Sequence, residues 1–266
     1  MRVTVVQTDP RFGEVGANVA EALSRMSGAG RSDLFVLPEL FNTGYNFESA
    51  AEADRLAEPE AGKTSSRISA FAKENSCWVV FGFAEKADKV YNSALLIGPD
   101  GIAGKYRKVH LYNRENLFFA PGNLGFPVFD LPFGKIGIMV CFDWFYPESA
   151  RTLALNGAAL IAHPSNLVLP HCPDAMVTRC LENRVFAATA DRIGREKRGG
   201  LEFSYIGTSQ VVSPRGRILS RLSALEPGCA TVEIDLGEAS NKRINEYNDL
   251  FAGRRPDQYQ PSPRRA

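Results

Sequence analysis

The chain has 266 residues, of which 44% are hydrophobic and 23% charged, and its net charge is +1. This length can enclose a large core, and the near-neutral charge gives no electrostatic basis for binding nucleic acid or a membrane surface. No apolar run approaches the ~20 residues of a membrane span, and the N-terminus lacks the apolar segment of a signal peptide, so we expect a cytoplasmic protein.

The first half of the chain reads as alternating strands and helices. Strands are indicated by β-branched and apolar runs, and helices by apolar residues at helical spacing with caps or a closing glycine. The predicted elements are a strand over 2–9, a helix over 17–30, a strand over 33–40, a helix over 64–76, strands over 77–86 and 90–101, and a continuation of that hairpin over 102–112.

The second half follows the same alternation, with paired strands near its end. The predicted elements are a strand over 134–143, a helix over 147–158, a strand over 159–166, a segment over 174–194 that begins as a helix and becomes strand-like, a hairpin over 206–222, a strand over 229–236 and a helix over 238–251. Because paired strands interrupt the alternation, we predict two mixed sheets covered by helices, an α/β sandwich in a single domain.

The five cysteines are odd in number and are not closely paired, which predicts free thiols in a reducing compartment. The three histidines form no metal-ligand pattern with them, so we expect no metal site.

Cys141 stands where a predicted buried strand ends, directly before aromatic residues and the start of a helix. The turn frees backbone N–H groups that can stabilise an anion, so we expect this thiol to lose its proton more easily than a free cysteine. A buried cysteine without a chemical role is the common alternative. As a nucleophile, Cys141 would need a base.

Glu39 is one candidate base. It follows an apolar strand and Pro38, in the stretch "LFVLPELF". A carboxylate among such neighbours is partly desolvated, which raises its pKa toward the range useful to a general base, although a surface glutamate after a strand is the simpler alternative. His163, at the end of the strand predicted beside that of Cys141, is another candidate and would give a Cys–His dyad.

Lys108 lies in the segment "GKYRKVHLYNRENLFFAPG". A lysine beside a nucleophile can donate to the oxyanion of a tetrahedral intermediate, whereas a solvated charge on a strand is the alternative. Strand alternation places Tyr106, Lys108 and His110 on one face, and the sequence leaves open which face is buried.

The motifs "LPELF", "KYRKVHLY" and "MVCFDWFYPE", in this order, resemble those of the nitrilase superfamily of carbon–nitrogen hydrolases. The resemblance extends over nearly the whole chain. It implies a Glu–Lys–Cys triad in which Glu39 is the general base, Lys108 stabilises the intermediate and Cys141 is the nucleophile. It also implies that Glu115 holds the substrate amide and Lys108, and that neither a metal nor an organic cofactor is required.

The resemblance further implies the fold and the assembly. The family fold is an αββα four-layer sandwich of two mixed sheets, commonly paired as an αββα–αββα homodimer. Residues 1–266 would then form one carbon–nitrogen hydrolase domain, with 238–266 as a C-terminal helix and arm that reaches the partner.

Phe142 and Asp143 follow the cysteine, whereas nitrilases of the family tend to have Trp-Glu there, so the chain resembles the amidase and carbamoylase branches. The stretch "ELFNTGYNF" most resembles the aliphatic and stereoselective amidases of the family. We predict an amidase that hydrolyses small carboxylic amides through a thioester; the alternatives are an N-carbamoyl amidohydrolase, a nitrilase or a non-catalytic binding protein. Arg114 and Arg179 could bind the carboxylate of an N-carbamoyl amino acid. The predicted substrate-binding residues are Tyr45, Tyr112, Phe142, Trp144 and Asn166.

Overall fold

The computed structural model describes residues 1–259. Its helices are α1 (Val15–Gly28), α2 (Ala50–Leu56), α3 (Lys63–Asn75), α4 (Glu115–Phe118), α5 (Pro147–Leu155) and α6 (Cys172–Asn183). Its strands are β1 (Arg2–Gln7), β2 (Leu34–Val36), β3 (Trp78–Lys86), β4 (Val90–Gly98), β5 (Gly101–Arg107), β6 (Val128–Leu131), β7 (Gly134–Ile138), β8 (Leu160–Pro164), β9 (Phe186–Ala190), β10 (Arg195–Arg198), β11 (Leu201–Ser204), β12 (Gln210–Val212), β13 (Ile218–Arg221) and β14 (Gly228–Glu233). Short 3₁₀ helices cover Cys141–Phe145, Leu236–Ser240 and Pro256–Gln258.

Two six-stranded mixed sheets form the centre of the structure. The first has the order β14-β1-β2-β3-β4-β5, with β1, β2 and β3 parallel, and the second has the order β13-β12-β9-β8-β7-β6, with β7, β8 and β9 parallel. The remaining neighbours in both sheets are antiparallel. Because a parallel bridge between Thr8 and Arg192 joins the segments that follow β1 and β9, the carboxyl ends of the parallel strands in both sheets point the same way.

The two sheets pack face to face, and helices cover their outer faces. Residues of both inner faces, such as Val5, Leu96, Ile138 and Ala188, belong to one buried cluster. A second cluster joins α1 and α3 to the outer face of the first sheet, while α5 and α6 pack on the second sheet. The predicted αββα sandwich of two mixed sheets is therefore confirmed. The parallel strands of both sheets end on the same side of this sandwich.

The helix predicted over 238–251 is wrong. After the 3₁₀ helix Leu236–Ser240 the chain turns repeatedly, and the side chains of Asn241 and Asn245 accept hydrogen bonds from backbone N–H groups two or three residues further on. Such local bonds compete with the helical ones, which explains the failure of the periodicity. The C-terminal part of the predicted arm, 260–266, lies outside the described residues.

Several short elements were not predicted, namely α2, α4, β6 and the β10–β11 hairpin. Within 1–259, none of the helices combines the length and apolar character required to cross a membrane.

Candidate active site

Loops at the carboxyl ends of four strands bring the candidate residues together. Glu39 follows β2, Lys108 follows β5, Cys141 follows β7 and Asn166 follows β8. Since these strand ends lie at the same edge of the sandwich, residues far apart in the chain meet there.

Lys108 connects two glutamates in the interior. Its ammonium donates hydrogen bonds of 2.7 Å to Oε1 of Glu39 and of 2.7 Å to Oε1 of Glu115. All three side chains are buried. The amide of Asn92 donates to Glu39 at 2.7 Å and to Glu115 at 3.4 Å, so it joins the two carboxylates from a second side.

The charges in this cluster do not balance, because two carboxylates face one ammonium. Burial raises the pKa of Glu39 from 4.5 to about 7, against the opposing effect of Lys108, and the charge of Glu115 raises it further. Burial alone would lower the pKa of Lys108, but the carboxylates of Glu115 and Glu39 keep it above its ordinary value. Glu39 is therefore the member that can exchange a proton near neutrality, while Lys108 stays charged.

Glu39 is held by a tight crossing of two chain segments. The next residue, Leu40, has a φ of 47°, and a Cβ at Gly82 of β3 would lie 2.5 Å from the Cα of Glu39. Only glycine leaves space there, so β3 fixes the backbone of the glutamate from behind.

Cys141 begins the 3₁₀ helix and has a φ of 42°, an uncommon value for a residue with a Cβ. Its thiol is buried and donates a 3.7 Å hydrogen bond to the backbone oxygen of Asn166. Burial and the charge of Glu39 raise the pKa of this thiol well above its ordinary value. The expectation of an easily deprotonated thiol is therefore wrong, because removal from water outweighs the N–H groups of the turn.

The predicted substrate-binding residues divide into two groups. Tyr112, Phe142, Trp144 and Asn166 line a cavity of about 10 Å³ beside Cys141, with Leu167, Val168 and Leu169. Both polar atoms of the Asn166 side chain are buried without a hydrogen-bond partner among the described residues. Tyr45 lies instead against the glutamate cluster, where its hydroxyl donates a 2.5 Å hydrogen bond to Glu115.

His163 contacts the backbone of Cys141 and not its thiol. Its Nε2 lies 2.9 Å from the carbonyl oxygen of Cys141, and its Nδ1 lies 3.1 Å from Oγ1 of Thr189. Burial lowers the pKa of His163 to about 4, so the ring is neutral near pH 7. This geometry gives a supporting contact rather than a base poised at Sγ.

The two arginines considered for carboxylate binding differ. Arg179 donates to the backbone oxygen of Trp144 and pairs with Glu182, whereas Arg114 lies 5.4 Å from the ring of Phe118 and forms no ion pair within 1–259.

Two polar residues of the site were not predicted. Asn92 is the third residue of β4, between Tyr91 and Ser93, and a strand disfavours asparagine, so this position offers a signal. Asp143, noted only as part of a Phe-Asp pair, is buried and accepts several hydrogen bonds, which its place in an aromatic run does not reveal. Across 1–259, the histidine, cysteine and acidic side chains form no group of three or more suited to holding a metal ion.

Comparison with known proteins places these features in a wider group. The family model described as carbon-nitrogen hydrolase matches residues 2–243. A protein of Pyrococcus abyssi named nitrilase is 49% identical over 264 residues, which cover 97% of this chain and 99% of the relative.

Solved structures agree with this match. A carbon-nitrogen hydrolase from Helicobacter pylori G27 superposes with a TM-score of 0.88 at 26% identity and covers 97% of this chain and 96% of its own. An amidase mutant from Nesterenkonia sp. AN1 superposes with a TM-score of 0.76 at 27% identity, covers 91% of this chain and 96% of its own, and shows Michael addition of acrylamide at its active site cysteine.

Proposed function

The chain belongs to the carbon-nitrogen hydrolase family, within the nitrilase superfamily, and we propose on that premise that it is an amidase for small carboxylic amides. The observation that carries the proposal is the buried arrangement at one strand edge: an ammonium held between two carboxylates, one of them with a pKa near 7, beside a buried thiol. No metal or organic cofactor takes part in the proposed reaction.

In the first half-reaction, Glu39 accepts the thiol proton while Sγ of Cys141 attacks the amide carbon. Because the pKa of the thiol is raised, proton transfer accompanies attack and no resting thiolate is required. The carbonyl oxygen becomes an oxyanion, which the ammonium of Lys108 and the backbone N–H of Phe142 stabilise. The C–N bond then breaks, Glu39 returns the proton to the leaving nitrogen, and ammonia departs from the thioester.

In the second half-reaction, water attacks the thioester carbon while Glu39 takes one of its protons. The C–S bond breaks, the acid leaves, and Cys141 recovers its proton. Glu115 acts by holding Lys108, to which it is bonded at 2.7 Å. Tyr45 in turn holds Glu115, whereas Asn166 has amide atoms free to bind the substrate.

The lining of the cavity supports a small, mostly apolar acyl group. Aromatic and aliphatic side chains, among them Phe142, Trp144 and Leu167, lie beside Cys141. Arg179 is paired with Glu182 and donates to the backbone oxygen of Trp144, which speaks against its binding the carboxylate of an N-carbamoyl amino acid.

Nitrile hydrolysis is the second candidate, since the Pyrococcus abyssi relative is named nitrilase. A nitrile would form a thioimidate on Cys141, which must take up water before it releases ammonia. The Phe142-Asp143 pair favours the amide, as in the branch that the sequence resembles.

The test is ammonia release from propionamide, benzamide, N-carbamoyl-β-alanine and propionitrile, with the wild type and Cys141→Ala. We expect turnover of the simple amides and its loss in the variant. Turnover confined to the nitrile or to the carbamoyl compound would refute the amidase proposal, and turnover retained by Cys141→Ala would refute the nucleophile.

For assembly, we propose one domain over 1–266 that pairs as a homodimer in the cytoplasm. Support comes from exposed apolar side chains on the 3₁₀ helix Cys141–Phe145, on α5 and on α6. They are Phe145, Leu155 and Leu181. Light scattering coupled to size exclusion should give twice the chain mass, and Leu181→Glu should reduce it to the monomer.

A further inference from the structure

The carboxylate of Asp143 is fully buried and accepts hydrogen bonds from three donors. Its Oδ2 accepts from the hydroxyl of Tyr106 at 2.7 Å and from the backbone N–H of Val140 at 2.9 Å. Its Oδ1 accepts from the backbone N–H of His110 at 3.2 Å and lies 2.8 Å from Nδ1 of the same residue. A carboxylate suits these contacts because both of its oxygens can accept, and Nδ1 of His110 also donates in the tautomer that carries its proton there.

These bonds join the two segments that carry the thiol and the ammonium. Val140 directly precedes Cys141, and His110 lies two residues after Lys108. The Tyr106 hydroxyl, besides donating to Asp143, accepts the N–H of Val109 at 3.2 Å. One carboxylate therefore fixes the chain before the cysteine and after the lysine, although these segments belong to different sheets.

The positive φ of Cys141 makes such fixing necessary. A residue with a Cβ is held in this conformation only where surrounding contacts determine it, and the Val140 N–H bond to Asp143 closes the same turn. On the other side, His110 stacks on Tyr146 with ring centroids 3.6 Å apart, which confines the ring that faces Oδ1.

We infer that Asp143 is a positioning residue, whose buried carboxylate sets the placement of the Cys141 thiol relative to the Lys108 ammonium. This rests on the proposed roles of Cys141 and Lys108. Asp143 contacts neither group directly. It acts through the backbone on either side of them, and its replacement misplaces the pair without removing either member.

An amide is a poor substitute for this carboxylate. In Asp143→Asn one oxygen becomes an NH₂ group, which must face either the Val140 N–H and Tyr106 hydroxyl or the His110 N–H. In either orientation a backbone N–H, of Val140 or of His110, faces the NH₂ group and loses its hydrogen bond, so a donor is placed against a donor.

The experiment compares Asp143→Asn with Glu85→Gln, a matched loss of a buried carboxylate outside the site. Three quantities are measured: the rate at which iodoacetamide alkylates Cys141, identified by peptide mass, the kcat and KM for propionamide, and the melting temperature. We expect Asp143→Asn to slow both alkylation and kcat about 100-fold, with KM changed by less than about threefold. Glu85→Gln should lower the melting temperature without slowing alkylation of the folded enzyme.

The result that overturns the inference is an Asp143→Asn enzyme that alkylates and turns over like the wild type at a temperature where both are folded. If Asp143→Asn fails to fold, Tyr106→Phe replaces it, since this variant keeps the ring and removes one donor to Asp143. We expect about a tenfold loss of alkylation rate and kcat; unchanged values in Tyr106→Phe would refute the inference. If the wild type hydrolyses no amide, the proposed function fails, while the alkylation rates still decide the role of Asp143.

Discussion

Two buried glutamates bind neighbouring residues at the end of β5, and their pKa values shift in opposite directions. Glu85 is 1% exposed and binds Arg107, whereas Glu39 is fully buried and binds the next residue, Lys108. Burial alone would raise the pKa of Glu85, but hydrogen bonds from Arg107, Lys105 and Ser93 lower it to about 2. The pKa of Glu39 rises to about 7.

The difference arises from how the oxygen atoms are occupied. Each oxygen of Glu85 accepts two hydrogen bonds. Oε1 accepts from Lys105 and Arg107, and Oε2 accepts from Ser93 and Arg107. In Glu39, Oε1 accepts from Lys108 and Asn92, while Oε2 has no partner among the described residues. Glu39 also shares the ammonium of Lys108 with Glu115. A fully bonded carboxylate is a fixed ion, whereas one with a free oxygen and a shared cation can exchange a proton.

The largest contrast concerns activity. We expect Glu39→Gln to lower kcat for propionamide about 1,000-fold, because the amide cannot accept the thiol proton. The equivalent change Glu85→Gln should leave kcat within about threefold of the wild type, since Glu85 touches no reacting group. Steady-state kinetics on both folded variants measures this, and comparable losses of kcat in the two variants would contradict it.

The second contrast concerns the free energy of unfolding, on which Glu85→Gln should have a larger effect than Glu39→Gln. The lowered pKa of Glu85 stabilises the folded chain above pH 4.5, and this is lost as pH falls toward 2. Glu85→Gln should therefore lower the free energy of unfolding by about 3 kcal/mol at pH 8, because Arg107 and Lys105 lose their partner.

For Glu39 the pKa is raised, so its proton-linked stabilisation is present below pH 4.5 and lost as pH rises through about 7. We expect Glu39→Gln to gain about 1 kcal/mol at pH 8, since it removes a charge that burial opposes. Urea unfolding of Glu39→Gln and Glu85→Gln measures both free energies of unfolding. Changes of the same sign in the two variants would contradict the contrast.

The third contrast is the pH dependence of turnover. Because Glu39 must be ionised to act as a base, kcat/KM should rise with pH with an apparent pKa near 7. In Glu115→Gln the neighbouring charge that raises the pKa of Glu39 is gone, so this rise should move about one unit lower. Rates between about pH 5 and pH 9 would reveal it. The control Glu85→Gln should keep the wild-type position, and a rise that stays in place in Glu115→Gln would count against Glu39 as the titrating group.

The smallest effect is expected at His163, a buried titratable group whose pKa is lowered to about 4 by burial. His163→Gln keeps a donor toward the carbonyl oxygen of Cys141 and should reduce kcat by about fivefold or less. A Cys–His hydrolase would instead lose turnover in this variant and retain it in Glu39→Gln. Measuring the two variants side by side separates the mechanisms.

The sandwich was predictable because its strands are apolar runs between clear turn and cap signals. The inner face of the segment 102–112 was not predictable, because both sides of the chain are buried around the end of β5. Tyr106 and Lys108 are buried on one side, and Arg107 is buried on the other with Glu85. Alternation identifies an inner face only where the outer face meets water.

The residues of the candidate active site were predictable where they stand in sequence motifs. Glu39, Lys108, Glu115 and Cys141 stand in motifs, and the structure brings the first three into direct contact and the fourth to the same strand edge. Contacts between distant loops were beyond reach. Glu196, for example, accepts the backbone N–H groups of Tyr45 and Asn46 across about 150 residues, which no local pattern encodes.

The pairing of β1 with β14 has a consequence for the synthesis of the protein. Residues 2–7 are synthesised well before their antiparallel partner, Gly228–Glu233, because the two strands lie far apart in the chain. Until then β1 is an open edge that can pair with another chain, so nascent chains on one messenger are exposed to aggregation through this strand. We expect a chaperone that shields β1 to matter most during translation, and truncation before residue 228 to yield insoluble protein.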